Sequence, residues 1–233
     1  MVNRSVHKTS ATGVHIDVGL REFMQKVFGT MALGLGVTGL IAYVVASSPA
    51  LYVPLLTTPL RWVFLLATLG LPLTLAFGLN KLSEGTARAL FWAYAAVMGV
   101  STSSILLAYT GESVARVFLI TACMFGGMSL YGYVTKRDLS AYHSFFMMGL
   151  WGVILASLVN LFVGSSALQM ALSVITVLVF TGLTAYDVQK IRSFYYQAPE
   201  GLHSKFITLS ALSLYLDFIN IFFAMLRLFG DRR

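Results

Sequence analysis

LSAYHSFFMMGLWGVILASLVNLFVGSSALQMALSVITVLVFTGLTAY, residues 139–186, is a stretch of 48 residues without Asp, Glu, Lys or Arg. About 20 apolar residues of helix cross the hydrocarbon core of a bilayer, so the stretch is too long for one crossing and long enough for two. Near its middle, the sequence Phe162-Val163-Gly164-Ser165-Ser166 is typical of a turn. The stretch therefore predicts two membrane spans, Tyr142–Val163 and Ala167–Tyr186, joined by that turn.

Five further apolar stretches of similar length lie between charged residues. They are Val27–Ser48, Trp62–Asn80, Ala89–Thr110, Val117–Thr135 and Phe206–Leu226, and the last contains one charge, Asp217. The sequence therefore predicts an all-α polytopic membrane protein with seven transmembrane helices. We expect a cytoplasmic N-terminal segment (residues 1–26), a transmembrane domain (27–226) and a short C-terminal tail (227–233).

The composition supports a protein whose solvent is lipid. Hydrophobic residues make up 58% of the chain and charged residues 11%, and the mean hydropathy is +0.80. A soluble domain of this size cannot bury so much apolar surface, and a disordered chain has far less of it. The net charge is +7, but the basic residues are scattered singly between apolar stretches, which argues against a nucleic-acid partner. The lipid bilayer is the predicted partner.

The distribution of basic residues predicts the orientation. With the N-terminus inside, the inner segments hold eleven Lys and Arg residues and the outer segments hold five. Cytoplasmic loops carry the excess of basic residues, so we expect a cytoplasmic N-terminus, and for a bacterial source the membrane would be the cytoplasmic (inner) membrane. Three basic residues argue against placing the C-terminus on the outer side of the membrane. They are Arg227, Arg232 and Arg233. The sequence therefore leaves open whether the last helix crosses fully or is re-entrant.

Small residues recur at three- and four-residue spacing in two spans. The first span has Gly29, Ala32, Gly36 and Gly39, and the fourth has Gly126, Ser129 and Gly132. Such spacing lets the backbones of two helices approach closely. We expect both stripes to pack inside the bundle, with a dimer face as the alternative.

Asp217 is the clearest candidate for a functional residue. A charged side chain at the centre of a membrane helix costs at least about 2.5–3.5 kcal/mol, so it needs an interior partner and usually a function. At 100° per residue, Ser210, Ser213 and Asn220 lie on the same face of the helix as Asp217. This polar stripe must face protein or water, and we expect it to line a pathway. The alternative is a protonated or paired carboxyl that fixes helix packing.

Asp187 is the second candidate, because it follows a long apolar stretch directly. Its alternative is an interfacial ion pair with Lys190. Two carboxyls on neighbouring helices resist double ionisation and so share a proton. At low pH they hydrogen-bond, and at higher pH they repel each other or take up a cation. Ca²⁺ suits this role because it prefers carboxylate and other oxygen ligands, which makes Asp187 and Asp217 the candidate Ca²⁺ ligands.

The sequence carries no sign of an enzyme or of a bound cofactor. It lacks the Gly-x-Ser-x-Gly, His-Glu-x-x-His and Gly-x-x-x-x-Gly-Lys motifs, which mark serine hydrolases, zinc proteases and nucleotide-binding loops. One enzyme interpretation remains, an intramembrane hydrolase that uses Asp187 and Asp217 as an aspartyl pair. Nothing around either residue favours it over a gate.

Three segments resemble the Bax inhibitor-1 (transmembrane BAX inhibitor motif) family. They are MSLYGY with TKRDLS (residues 128–133 and 135–140), the run Gly182 to Lys190, and LSLYLDFIN (residues 212–220). The resemblance implies a bundle of seven helices with the last helix central, surrounded by the other six. It also implies a pH-sensitive Ca²⁺ leak with Asp187 and Asp217 as sensor and gate.

One feature of the family matches imperfectly. Its gate can include an arginine late in the second span that latches onto the aspartate of the sixth span. The nearest candidate here is Lys81, and a lysine latch should be weaker because an ammonium is a point charge without the bidentate fork. The second span also holds no carboxylate for an outer Ca²⁺ site.

Two functions are therefore compatible with the sequence. The first is a pH-sensitive Ca²⁺ leak channel or transporter, with Ca²⁺ and protons as its ligands and the aspartate pair as its gate. The second is a regulatory or interaction protein that modulates membrane proteolysis or stress responses through a membrane protein partner. In the second, the aspartates have only a structural role.

Overall fold

The computed structural model describes residues 18–78, 81–197 and 203–233, and these residues are helical almost throughout. The helices are α1 (Val18–Ala46), α2 (Pro49–Thr57), α3 (Leu60–Gly78), α4 (Glu84–Ala108), α5 (Gly111–Val134), α6 (His143–Val163), α7 (Ser166–Gln197) and α8 (His203–Phe229), with one 3₁₀ turn (Leu139–Tyr142) before α6. All except α2 are long and apolar enough to cross a membrane. The prediction of an all-α protein with seven spans is confirmed.

The predicted division of the long apolar stretch is correct. Helix α6 ends at Val163, and Gly164 follows with a φ of 66°, a left-handed conformation that favours glycine. Its N–H donates to the Asn160 carbonyl (2.8 Å), and the Asn160 side chain accepts from the Ser165 N–H (3.0 Å). Helix α7 then begins at Ser166, so the chain reverses within two residues.

Two helices extend well beyond the predicted spans. Helix α1 begins at Val18 rather than Val27, and a Glu22–Lys26 ion pair (2.7 Å) lies on its added turns. Helix α7 continues past Tyr186 to Gln197. The short helix α2, which starts with Pro49 in its first turn, was not predicted. Most of the predicted N-terminal segment, residues 1–17, lies outside the described residues.

Helix α8 is the central helix of the bundle. It packs against α1, α3, α4, α5 and α7, and fourteen of its residues are buried. Helix α6 packs on α7 instead, and none of its residues is buried. The last helix is thus central, but five helices surround it and α6 lies at the periphery.

Helix α8 runs the full length of the bundle. At its start, the His203 ring lies 5.8 Å from the Phe23 ring at the start of α1. At its end, the Asp231 carbonyl accepts a hydrogen bond (3.0 Å) from the Thr110 N–H in the turn between α4 and α5. These contacts lie at opposite ends of the bundle, because α1 and α4 also run its length. This arrangement and the 27-residue length of α8 favour a full crossing over the re-entrant alternative.

The two stripes of small residues differ. On α5, a methyl group at Gly132 would collide with the Ala185 carbonyl of α7, so these backbones are in close contact as predicted, but one at Gly126 would meet open space, and the prediction was wrong there. On α1, a methyl group at Gly29, Gly36 or Gly39 would meet open space, and this face is exposed. The prediction of close packing was wrong there, because the opposite face carries the larger apolar side chains that fill the core.

Candidate functional site

Asp217 lies near the middle of the central helix. Its side chain is only 5% exposed, and its Oδ2 atom has no hydrogen-bond partner among the residues that the structure describes. Buried polar atoms are almost always hydrogen-bonded, so an unpartnered carboxyl oxygen requires an explanation. In a medium without water, such a group has to hold a proton or a cation.

Asp187 lies on α7 and is joined to α8 through Ser213. The Ser213 hydroxyl donates a hydrogen bond to Oδ2 of Asp187. Ser213 precedes Asp217 by four residues, so both point from the same face of α8. The Asp187 and Asp217 carboxyls are close enough to interact electrostatically. The structure thus brings the two predicted aspartates and Ser213 together in one cluster.

Two basic side chains lie on the other side of Asp187. His143, at the start of α6, packs its ring 4.9 Å from the Tyr186 ring. Lys190 places its ammonium over the rings of Tyr186 (5.9 Å) and Phe194 (5.7 Å). Both His143 and Lys190 interact electrostatically with Asp187. Asp187 therefore faces basic groups towards the end of α7 and a second acid towards the membrane centre.

The other predicted site residues have different environments. Ser210 is buried on α8, and the Asn220 amide donates to the Leu216 carbonyl of its own helix (2.8 Å). Lys81 is exposed in the turn between α3 and α4, and within the described ranges it forms no ion pair with either aspartate. The structure therefore does not bring Lys81 to the aspartates, and its role as a latch stays a prediction.

The oxygens available to a cation are few. Within residues 18–78, 81–197 and 203–233, no group of three His, Cys, Asp or Glu side chains converges on one point. A Ca²⁺ ion at Asp187 and Asp217 would need its remaining oxygens from Ser213, backbone carbonyls and water, because Ca²⁺ takes about 6–8 ligands. Side chains alone therefore supply fewer oxygens than Ca²⁺ prefers.

A buried hydroxyl pair near the centre of the bundle was not predicted. The Thr38 hydroxyl on α1 donates to the Ala95 carbonyl on α4 (2.9 Å). Because its only hydrogen is used there, the Thr38 oxygen accepts from the Tyr215 hydroxyl of α8, at 2.6 Å. Three helices are joined through one threonine. Thr38 and Tyr215 are polar residues within apolar spans. A polar residue at such a position is the sequence signal that could have identified the pair.

The extension of α7 holds the connection between α5 and α6. The Gln189 amide donates to the Arg137 carbonyl (2.7 Å) and accepts from the Leu139 N–H (2.8 Å). The Arg192 guanidinium donates to the Tyr133 carbonyl (2.6 Å) at the end of α5. The sequence signal for this extension was the set of polar residues that follow Asp187, because such residues continue a helix beyond the apolar span. They are Gln189, Lys190 and Arg192.

The C-terminal tail is fixed to the opposite end of the bundle. Asp231 pairs with Arg116 (2.8 Å), and its N–H donates to the Ser113 hydroxyl (2.8 Å). The Arg233 N–H donates to the Ala108 carbonyl (3.0 Å). The tail thus closes the end of α8 against the turn between α4 and α5.

Seven long apolar helices around a central helix with a buried acid define a polytopic α-helical membrane protein. Residues 20–233 match the family described as the inhibitor of apoptosis-promoting Bax1. The chain therefore belongs to the Bax inhibitor-1 family, and it is an integral membrane protein.

Bacterial relatives cover almost the whole chain. An uncharacterised protein of Rickettsia prowazekii is 45% identical over 226 residues, which are 97% of this chain and 96% of the relative. The inner membrane protein YbhL of Escherichia coli K12 is 45% identical over 219 residues, covering 92% and 94%. An uncharacterised membrane protein of Streptococcus pyogenes is 34% identical over 226 residues, covering 92% and 94%.

Proposed function

We propose that this protein is a pH-sensitive Ca²⁺ leak channel or slow transporter of the bacterial cytoplasmic membrane, with its N-terminus in the cytoplasm. Asp187 and Asp217 form its coupled sensor and gate. The observation that carries the proposal is the unpartnered Oδ2 atom of Asp217, buried at the centre of the bundle beside a second acid.

The cluster supports a switch because its charge state decides whether α7 and α8 stay together. When the pair holds a proton, Ser213 joins the helices and the net charge between them is small. When both acids are ionised, they repel each other in a medium of low dielectric constant, where the interaction is strong. A cation entering between them relieves the repulsion, and Ca²⁺ carries the two charges required.

The gate requires movement of α8. Asp217 is almost completely enclosed by its neighbours, so an ion reaches it only if α8 separates from a helix packed against it. On the side of α7, the Ser213–Asp187 hydrogen bond is the contact that has to break. His143 and Lys190 then compensate part of the charge on Asp187 and bias the pair towards a single negative charge.

The experiment is Ca²⁺ flux from liposomes reconstituted with the purified protein, measured between pH 5 and pH 8. The wild type should leak Ca²⁺ at a rate that changes at least about tenfold over this range, since the ratio of ionised to protonated carboxyl changes tenfold per pH unit. Asp217→Asn keeps the shape of the side chain and removes its charge, so the coupling between the two acids is lost and the pH dependence of the leak should change. Glu112→Gln is the matched control, because Glu112 is an exposed acid in the first turn of α5.

Two results would overturn the proposal. One is an Asp217→Asn variant whose pH profile equals that of the wild type. The other is a wild-type protein that leaves vesicles tight at every pH, which would favour the alternative of a regulatory protein acting on a membrane protein partner.

A further inference from the structure

A basic pocket lies at the end of the bundle where α7 terminates. It has a volume of about 460 Å³ and is formed by the α5–α6 connection and the last turns of α7. Four of its lining residues are basic: Lys136, Arg137, Lys190 and Arg192. We propose that this pocket binds a phosphate group, and this inference does not depend on the proposed Ca²⁺ function.

The cations of the pocket lack carboxylate partners. Within the described part of the chain, none of the four forms an ion pair. Asp138 is the one acid among the described residues of the lining, and it accepts a hydrogen bond from the Ser140 N–H (2.9 Å). This backbone hydrogen bond lowers the pKa of Asp138, so the carboxyl stays ionised at neutral pH. Among the described lining residues, the four basic side chains therefore outnumber the one acid, although Lys190 also interacts with Asp187.

The pocket is built before any ligand arrives. The Arg137 carbonyl and the Leu139 N–H are both bonded to the Gln189 side chain, and the Arg137 N–H donates to the Thr135 hydroxyl (3.3 Å). Lys136 and Arg137 are thus carried on a connection that is fixed to α7 at several points. A preformed site loses less conformational entropy when a ligand binds.

The donors in the pocket match a phosphate. Arginine presents a planar fork that binds two phosphate oxygens at once, and lysine adds a point charge. The hydroxyls of Ser140 and Ser193 also line the pocket. A single carboxylate would satisfy fewer of these donors than the oxygens of a phosphate.

The position of the pocket along the membrane normal places it at the level of the lipid headgroups. Helix α7 has 32 residues and is about 48 Å long at 1.5 Å per residue, against about 30 Å for the hydrocarbon core. A crossing that starts at Ser166 is complete near residue 186, so Lys190 and Arg192 lie just beyond the hydrocarbon. Basic pockets between helices at this level bind anionic lipid headgroups. The phosphate can thus belong to an anionic lipid or to a free phosphate.

The test is native mass spectrometry of the full-length protein in detergent. Phosphatidylglycerol and phosphatidylcholine with identical acyl chains form one arm, and inorganic phosphate forms the other. We expect phosphatidylglycerol to bind at least tenfold tighter than phosphatidylcholine. The double variant Lys136→Gln with Arg137→Gln should bring the two lipids within threefold of each other. Lys26→Gln is the control at the same end of the bundle, because Lys26 is exposed and paired with Glu22.

The arms distinguish the source of the phosphate. Preferential binding of phosphatidylglycerol that the double variant loses assigns the site to a lipid. Binding of inorganic phosphate that the variant loses, with no lipid preference, assigns it to a free phosphate. Absence of both, or binding that the double variant retains, overturns the proposal. Thermal unfolding in phosphatidylcholine micelles verifies the fold of the variants, and Lys136→Gln alone replaces the double variant if that fails to fold.

Discussion

The Ser213 hydroxyl of α8 donates a hydrogen bond to the Asp187 carboxylate of α7, one helical turn from the buried carboxyl of Asp217. A hydrogen bond to an ionised carboxylate stabilises the ionised form. We therefore expect Ser213 to favour a negative charge on Asp187 over one on Asp217, whose Oδ2 atom has no hydrogen-bond partner among the described residues. This division of charge fits their positions, since Asp187 is half-buried near basic groups and Asp217 is enclosed.

Replacement of Ser213 by Ala should shift the pH at which the Ca²⁺ leak changes. Without the donor, ionised Asp187 loses a charge-assisted hydrogen bond worth about 1.5–3 kcal/mol. We expect the midpoint of the pH profile in reconstituted liposomes to move up by about one unit or more. Ser47→Ala is the control, because the Ser47 hydroxyl is exposed and bonds only to the Tyr43 carbonyl (2.7 Å). Equal midpoints for both variants would contradict the role of Ser213.

The Thr38–Tyr215 pair should be asymmetric in its effect on stability. In Tyr215→Phe, Thr38 keeps its bond to the Ala95 carbonyl, so we expect a loss of about 0.6–1.7 kcal/mol in the free energy of unfolding, as for other interhelical hydrogen bonds in membranes. Thr38→Val leaves the buried Tyr215 hydroxyl without its acceptor. That variant should lose more, up to about 3 kcal/mol.

Unfolding of the purified protein in mixed micelles measures both changes. Thr68→Val is the control for the threonine replacement, since Thr68 is exposed on α3 and bonds to the Leu65 carbonyl of its own helix (2.7 Å). A larger loss for Tyr215→Phe than for Thr38→Val would contradict the direction of donation assigned to the pair.

The crossing of α5 and α7 should not tolerate a side chain at Gly132. A methyl group there would strike the backbone of Ala185, two residues before Asp187. Overpacking of this kind costs about 1–3 kcal/mol, and here the obstacle is backbone that cannot rotate away. Gly132→Ala should lower the melting temperature and alter the pH profile of the leak.

Gly126→Ala on the same helix is the matched control. A methyl group at Gly126 meets open space, and alanine is the better helix former by about 1 kcal/mol. That variant should be as stable as the wild type or more so. Equal melting temperatures for the two variants would show that the helices can separate at Gly132 without cost.

The spans could be predicted from the sequence because the thickness of the bilayer determines the length of a helix that crosses it. The charge-free stretch 139–186 had to divide, and Gly164 marked the place. The apolar stretches also allowed Asp187 and Asp217 to be identified, since acids are rare in or beside such stretches. The span length did not predict the extension of α7 to Gln197, because no length rule applies beyond the hydrocarbon, and the polar residues after Asp187 were the signal for it.

The inward face of a helix was harder to predict than the helix itself. In lipid both faces of α1 are apolar, so periodicity does not separate Gly36, which faces outward, from Gly34, which packs against Phe91. The hydrogen bonds of the C-terminal tail could not be predicted from the sequence either, because they use backbone atoms that every residue possesses. The placement of Lys81 near or far from the aspartates depends on how α3 packs, which composition does not encode.

The last prediction concerns the C-terminal tail. It compares the contribution of the tail's ion pair to stability with the contribution of its backbone hydrogen bonds. Arg116 and Asp231 are 52% and 67% exposed, so Arg116→Gln should change the free energy of unfolding by less than about 1 kcal/mol. Deletion of residues 231–233 also removes the acceptor of the Thr110 N–H and the bond to the Ala108 carbonyl. The deletion should therefore expose the turn between α4 and α5 to solvent.

Hydrogen–deuterium exchange distinguishes the two variants. Peptides that cover the turn between α4 and α5 should exchange faster in the deletion variant and at the wild-type rate in Arg116→Gln. Peptides from α6 are the internal control, since within the described structure no hydrogen bond or ion pair joins α6 to residues 231–233. Wild-type exchange in the deletion variant would mean that the tail does not hold the end of α8, and that the backbone of the turn is satisfied without it. Faster exchange in both variants would mean that the exposed ion pair, rather than the backbone, holds the tail in place.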